Sequence, residues 1–154
     1  MSDAASNYLE NKLLDHTLRY GTSPYTGAST VYCALFSGTA ATVKTALESG
    51  TSAATVGNWG YYEINNGTYS RQAITFGSAA SSGSISNTAT VTFPVATADY
   101  NNTAASGNTV TCLAIMDNST GGNCLFYGEL TVSKQVSSGD QFTISSSNLT
   151  IQLA

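Results

Sequence analysis

The 154-residue sequence is short of charge, since Asp, Glu, Lys and Arg together make up only 9% of it, against about 25% in ordinary globular chains. Five basic residues (Lys12, Arg19, Lys44, Arg71 and Lys134) stand singly along a chain of net charge -4. That excludes nucleic acid as an expected partner, because phosphate binding needs a concentrated cationic patch. The same deficit argues against an anionic membrane surface. No run of about 18 apolar residues is present, so no membrane-spanning helix is expected. The first six residues, Met1 to Ser6, are polar and acidic, where a secretory signal would place a basic stretch and then an apolar one. The expected site of synthesis is the cytoplasm.

Histidine is nearly missing too. His16 is the single one, and its neighbour Asp15 points about 100° away on a helix, so the two do not form an acid–base pair. His16 is expected on a helix surface or at an interface. Without a nearby base a Ser or Cys nucleophile stays weak, and no GxSxG elbow occurs. The nine acids (Asp3, Glu10, Asp15, Glu48, Glu63, Asp99, Asp117, Glu129 and Asp140) are spread along the chain. No spacing among them sets up the paired carboxylates of a glycosidase. No catalytic residue is assigned, and the chain is not expected to be an enzyme.

Cysteine is scarce and odd in number. Cys33, Cys112 and Cys124 each sit in an apolar run and match no zinc spacing. They are read as buried free thiols, with one disulfide as the alternative. Asp99 with Asn101 and Asn102, or Asp117 with Asn118, offers oxygen donors for calcium. Neither has EF-hand spacing, and turns use the same residues. No metal and no cofactor is assigned. The N-x-[ST] triplets at Asn66, Asn101, Asn118 and Asn148 are read as chance matches in a chain without a secretory signal.

What is present is a body of small neutral residues, with 42% hydrophobic residues among Ser, Thr, Asn and Gly. Copies carrying such a surface repel one another little, which suits burial in an assembly. Residues 7–20 predict the one clear helix, with Leu9, Leu13, Leu14, Leu18 and Tyr20 within about half the circumference. Asn7 and Glu10 are expected to form its capping box and Gly21 its stop. This arc is the candidate contact surface toward another protein or another subunit, the alternative being that it covers one end of its own subunit.

Beyond Gly21 the pattern turns to strands, expected at 30–36, 68–76, 86–95, 109–117, 123–132, 141–144 and 149–153. Asn66-Gly67 predicts a hairpin between 61–64 and the strand from Tyr69. Turn clusters at 117–122 and 137–140 predict two more reversals. Residues 37–58 read as a long surface loop with one helical turn at most. Trp59, Tyr61 and Tyr62 cluster around the first hairpin. They are candidates for an aromatic loop contact to a sugar or a protein, the alternative being cross-strand support of the hairpin. The fold class is therefore all-β, a jelly-roll-like antiparallel sandwich with one short N-terminal amphipathic helix. Residues 1–20 form the helix and 21–154 a single β-sandwich domain.

Several runs, taken in order, carry a resemblance. SNYLENKLLDH (6–16), TVYCALF (30–36), RQAITF (71–76) and ISNTATVTFP (85–94) are followed by GGNCLFYG (121–128), SGD (138–140) and LTI (149–151). Over most of its length the chain resembles a family of tailed-phage virion proteins, the capsid decoration or cement proteins, whose similar sequences also carry tail-fibre or head-fibre labels. The resemblance implies a β-rich, jelly-roll-like homotrimer seated where capsomers meet, with the major capsid protein as the partner that the helix arc would contact and no catalytic residues. It leaves a receptor- or glycan-binding fibre module as the other functional class. Residues 37–66 are longer and more irregular than the family pattern.

Overall fold

The computed structural model describes residues 4–19, 24–79, 82–105 and 107–153. Its centre is a five-stranded antiparallel sheet in the order β1 (Ala4–Ala5), β7 (Cys124–Gln135), β6 (Thr109–Met116), β2 (Val31–Ser37), β3 (Gln72–Ile74). Two antiparallel ribbons accompany it: β4 (Ser84–Ser86) with β9 (Thr150–Gln152), and β5 (Val91–Val95) with β8 (Gln141–Ile144). The fold is all-β with a short N-terminal helix, as the sequence predicts.

The central strands are apolar on both faces, and period-two alternation sorts them into two cores. On β2, Cys33 and Leu35 face one core while Ala34 and Phe36 face the other. On β6, Leu113 and Ile115 oppose Cys112, Ala114 and Met116 in the same way. Val110 joins Leu113 on the first face because β6 carries an extra residue, Thr111, where the β2–β6 register shifts between Phe36 and Ser37. A bulge of this kind changes which face a side chain takes. The first core is closed by the two ribbons through Val91, Phe93, Phe142, Ile144 and Ile151.

The second core is closed by a helix that the sequence reading missed. Residues 37–58 are not a long loop: α2 (Ala40–Ser49) runs through them, with Val43, Ala46 and Leu47 buried. These three lie at i, i+3 and i+4, one narrow stripe. Gly38 and Gly50 flank the helix, and Gly50 is its left-handed C-cap at φ 76°. Gly is the residue that conformation favours.

At the N-terminus, α1 (Asn7–Leu18) starts one residue earlier than its capping signals suggest. The cap is Ser6 and not Asn7: the Ser6 Oγ accepts the Leu9 N–H at 3.3 Å and donates its own proton to the Cys124 carbonyl. Ser6 is tied there because Ala4 and Ala5 pair with Tyr127 and Phe126 at the edge of β7. The long-range bond to β7 therefore selects the cap, and Glu10 falls one position too late for a capping box. Tyr20 and the stop assigned to Gly21 lie outside the described residues.

Asn66-Gly67 forms a tight bend, but not the turn of a two-stranded hairpin. Residues 61–64 hold the end of a 3-10 helix (Trp59–Tyr61) and a single bridge, Glu63 to Phe36. The bend instead lies against 97–101, with the Thr97 N–H on the Gly67 carbonyl at 3.1 Å. A Cβ on Gly67 would stand 2.2 Å from the Ala98 carbonyl oxygen, at φ +73°, so only Gly fits the close approach. The strand expected at 86–95 is split by the buried Asn87, whose amide donates to the carbonyls of Ala89 and Ser145. The reversal at 117–122 joins β6 to β7 as expected. That at 137–140 carries the chain from the sheet to the β5–β8 ribbon, with the Asp140 N–H on the Ser137 carbonyl at 2.9 Å.

Because Leu47 is fully buried beneath the sheet, Leu47→Ala should lower the unfolding free energy by about 2–5 kcal/mol in urea titration. A loss under about 0.5 kcal/mol, the usual effect at a surface site, would mean that α2 is not part of the folded core.

Candidate functional site

The charged residue most completely withdrawn from water is Arg71, just before β3. Its Nε donates to Glu63 Oε1 at 2.6 Å and its Nη2 to Glu63 Oε2 at 2.8 Å, a bidentate pair. Nη1 donates to the carbonyls of Asn118 and Gly121 at 2.7 and 2.8 Å. The guanidinium also lies 5.2 Å from the centroid of the Trp59 ring. Burial alone would lower the Arg71 pKa, but the hydrogen bond and charge of Glu63 outweigh it and raise it. The Tyr69 hydroxyl donates to Glu63 Oε1 at 3.2 Å and accepts the Leu35 N–H at 3.0 Å. Burial, with the Glu63 charge added, pushes its pKa well up. Arg71, Glu63 and Tyr69 are each bonded to other parts of the chain. The arrangement holds the 3-10 helix, β2, β3 and the β6–β7 turn together.

The other chemistry-bearing side chains are engaged in the same way. Asp117 accepts from the backbone and side-chain N–H groups of Asn123, both at 2.7 Å. Asn102 Oδ1 accepts from the Ala104 and Ala105 N–H groups. His16 Nδ1 accepts the Tyr25 N–H at 3.2 Å. Among the described residues, no three His, Cys, Asp or Glu side chains converge as a metal set. Cys33, Cys112 and Cys124 are free and buried. Burial pushes them up to about 12, 11 and 12 respectively.

The aromatic candidates turn inward. Trp59 is 2% exposed and Tyr62 7%, and Trp59 meets Phe36 edge-on at 6.5 Å in the second core. The Trp59 indole N–H is buried without an acceptor among the described residues. Tyr61 is half-buried, its hydroxyl donating to the Ala104 carbonyl at 2.7 Å. These three residues are packing elements and leave no flat aromatic platform facing solvent.

The apolar arc of α1 divides. Leu9 is buried, and Leu13 is partly buried against the first core. Leu14 is 56% exposed and Leu18 77%. One packed face of a helix covers a stripe of about 100°, and an arc of half the circumference cannot all enter it. Leu14 and Leu18 stand about 140° and 180° from Leu9 and stay outside.

The sequence reading also missed an exposed arm. β7 pairs with β6 at Glu129 opposite Cys112 and next at Lys134 opposite Val110, so four residues of β7 bulge out opposite Thr111. Residues 131–135 are all exposed, with Val132 at 62%. A groove of about 660 Å³ runs between this arm and β8, lined in part by Leu113, Leu130, Phe142 and Leu149.

Residues 4–152 match the family model of the podophage GP4 fiber I protein gp80. The chain belongs to that family. No match was found among curated proteins. A gp80-family fibre protein is a structural component of a phage virion. The resemblance to tailed-phage virion proteins is thereby supported.

Arg71→Met should cost about 3–5 kcal/mol in chemical denaturation, because it leaves the largely buried Glu63 carboxylate without a cation and with only the Tyr69 hydroxyl as a side-chain donor. A double change of Glu63 and Arg71 to apolar residues should cost less than either single change, and additive losses would mean that the pair is not coupled.

The native thiols should resist a disulfide reagent at pH 8 and react once urea is added. Their folded pKa values exceed the free value of 9.0, so they contribute stability that is full below about pH 9. It is lost as pH rises toward 11–12. Rapid native labelling would show that the thiols are accessible.

Proposed function

We propose that this chain is a non-enzymatic structural subunit that attaches to the outside of a phage capsid, as a decoration protein or the base of a head fibre. Its partners in this reading are the major capsid protein and further copies of itself. The observation that carries it is the division of α1, in which Leu9 and Leu13 are used within the subunit while Leu14 and Leu18 remain outside. Adjacent large apolar side chains facing water mark a contact surface, and covering two leucines contributes about 1.5–3 kcal/mol each before ordering costs. The low charge of the chain supports the same reading, because close packing of many copies then meets little repulsion. Neither membrane nor nucleic acid belongs to this mechanism.

The fibre description of the family favours a second reading, in which the chain meets a receptor or a glycan. In that case the contact lies elsewhere than Trp59 and Tyr62, both of which are buried.

Leu14→Ser combined with Leu18→Ser should leave the thermal midpoint nearly unchanged, as surface substitutions do, yet abolish incorporation into particles when the variant complements a phage lacking this chain. Incorporation at the wild-type level would end the docking role of α1. A cryo-EM map with density for this chain only on a tail, and none on the shell, would end the capsid reading.

A further inference from the structure

Basic side chains are so few that each can be followed to its partner. Arg71 is bound by Glu63, Lys44 by Glu129 at 3.0 Å and Arg19 by Asp15 at 3.1 Å. Lys12 lies 5.8 Å from the centroid of the Tyr8 ring. Lys134 remains, exposed on the β7 arm and without a carboxylate or ring partner among the described residues. On the acid side, Glu10 and Glu48 are exposed and make no ion pair among the described residues. Lys44, one turn from Glu48 on α2, is held by Glu129 instead. The two helices that carry these acids, α1 and α2, pack beside one another, and both acids act on the hydroxyl of Tyr127, a buried side chain of β7. Burial pushes that hydroxyl up to about 12, and the charges of Glu48 and Glu10 add to the shift.

The character of these groups is complementary. Glu10, Leu14 and Leu18 follow one another at i, i+4 and i+8, one strip of α1 with about 6 Å between steps. Val132, in the bulge, and Lys134, where pairing with Val110 resumes, are both exposed on the arm. The strip offers apolar and then acidic contact, and the arm offers apolar and then basic.

We propose that the exposed arm of β7 in one copy docks on the outer strip of α1 in a second copy, Val132 against Leu14 and Lys134 between Glu10 and Glu48. This rests on the reading of Leu14 and Leu18 as an assembly contact and names the partner that covers them. The two patches differ, so the contact is head-to-tail, and repetition of such a contact closes into a ring when the rotation allows. Each charged pair is formed at the rim, where it governs which copy fits which more than how tightly.

The test is sedimentation of the full-length protein across micromolar concentrations. Wild type should be a closed oligomer. Lys134→Glu should weaken association by about tenfold or more, since attraction to both acids becomes repulsion. Glu10→Lys should weaken it less, because Glu48 remains, and the variant carrying both should associate more tightly than Lys134→Glu alone. All of these sites are exposed, so each variant should melt like the wild type. A monomeric wild type, reversals without effect, or a double variant no tighter than Lys134→Glu alone would overturn the proposal. If the serine changes at Leu14 and Leu18 block particle incorporation while Lys134→Glu is incorporated normally, the assembly contact stands and this pairing falls. If the serine variant is incorporated normally while wild type forms the ring, the pairing stands and capsid docking through α1 falls.

Discussion

The Glu63–Arg71 pair is the constraint on which the rest of the subunit depends. A guanidinium taken out of water is tolerable only when its donors are satisfied and its charge is balanced. Arg71 meets that condition with atoms from two separate stretches: the Trp59 ring and Glu63 carboxylate of the 3-10 turn, and the main chain of the β6–β7 turn. Satisfying one side chain therefore fixes the 3-10 helix, the start of β3 and the far end of the central hairpin against each other. Tyr69 extends the network to β2 through the Leu35 N–H, and its ring stacks on Phe93 at 5.9 Å, which ties the β5–β8 ribbon to the sheet. Burying an ion pair is weak as a source of stability and strong as a source of uniqueness, because any other packing leaves a charge alone.

Around that point the sheet separates two cores that share strands but not side chains. The ribbons close one face and α2 with the 3-10 helix closes the other. Since β2 and β6 bury residues on both faces, their sequences read as unbroken apolar runs without alternation. On β6 the extra residue Thr111 turns Val110 to the first core, away from the face that Cys112 takes. At the same place β7 throws out residues 130–133, Val132 among them, just before Lys134 pairs again, so the irregularity beside the core shapes the outer surface as well.

Much of the strand content was legible, because 30–36, 109–117 and 141–144 combine β-branched and aromatic residues with turn chemistry at their ends. What escaped was decided by contacts distant in sequence. Val43, Ala46 and Leu47 give α2 only three buried positions among Gly and Thr neighbours, and the helix exists because the sheet offers them a face. Ser6 outranks Asn7 as a cap because it can also reach the Cys124 carbonyl 118 residues away. Trp59, Tyr61 and Tyr62 were correctly seen to cluster, but sequence proximity does not tell an aromatic group that looks out from one that looks in. The Glu63–Arg71 pair left a faint trace: in a chain with so few charges, an arginine opening the apolar run RQAITF had to be either solvated or paired.

The manner in which Arg71 grips the β6–β7 turn has one further consequence. Its Nη1 holds carbonyl oxygens of the backbone, and no side chain of the tip takes part in that grip. The side chains of Ser119 and Thr120 are exposed and lie outside the anchoring bonds. Identity at these two places is therefore uncoupled from the folding of the subunit. The turn is a rigid mount whose lettering evolution can rewrite while the scaffold beneath it keeps its shape.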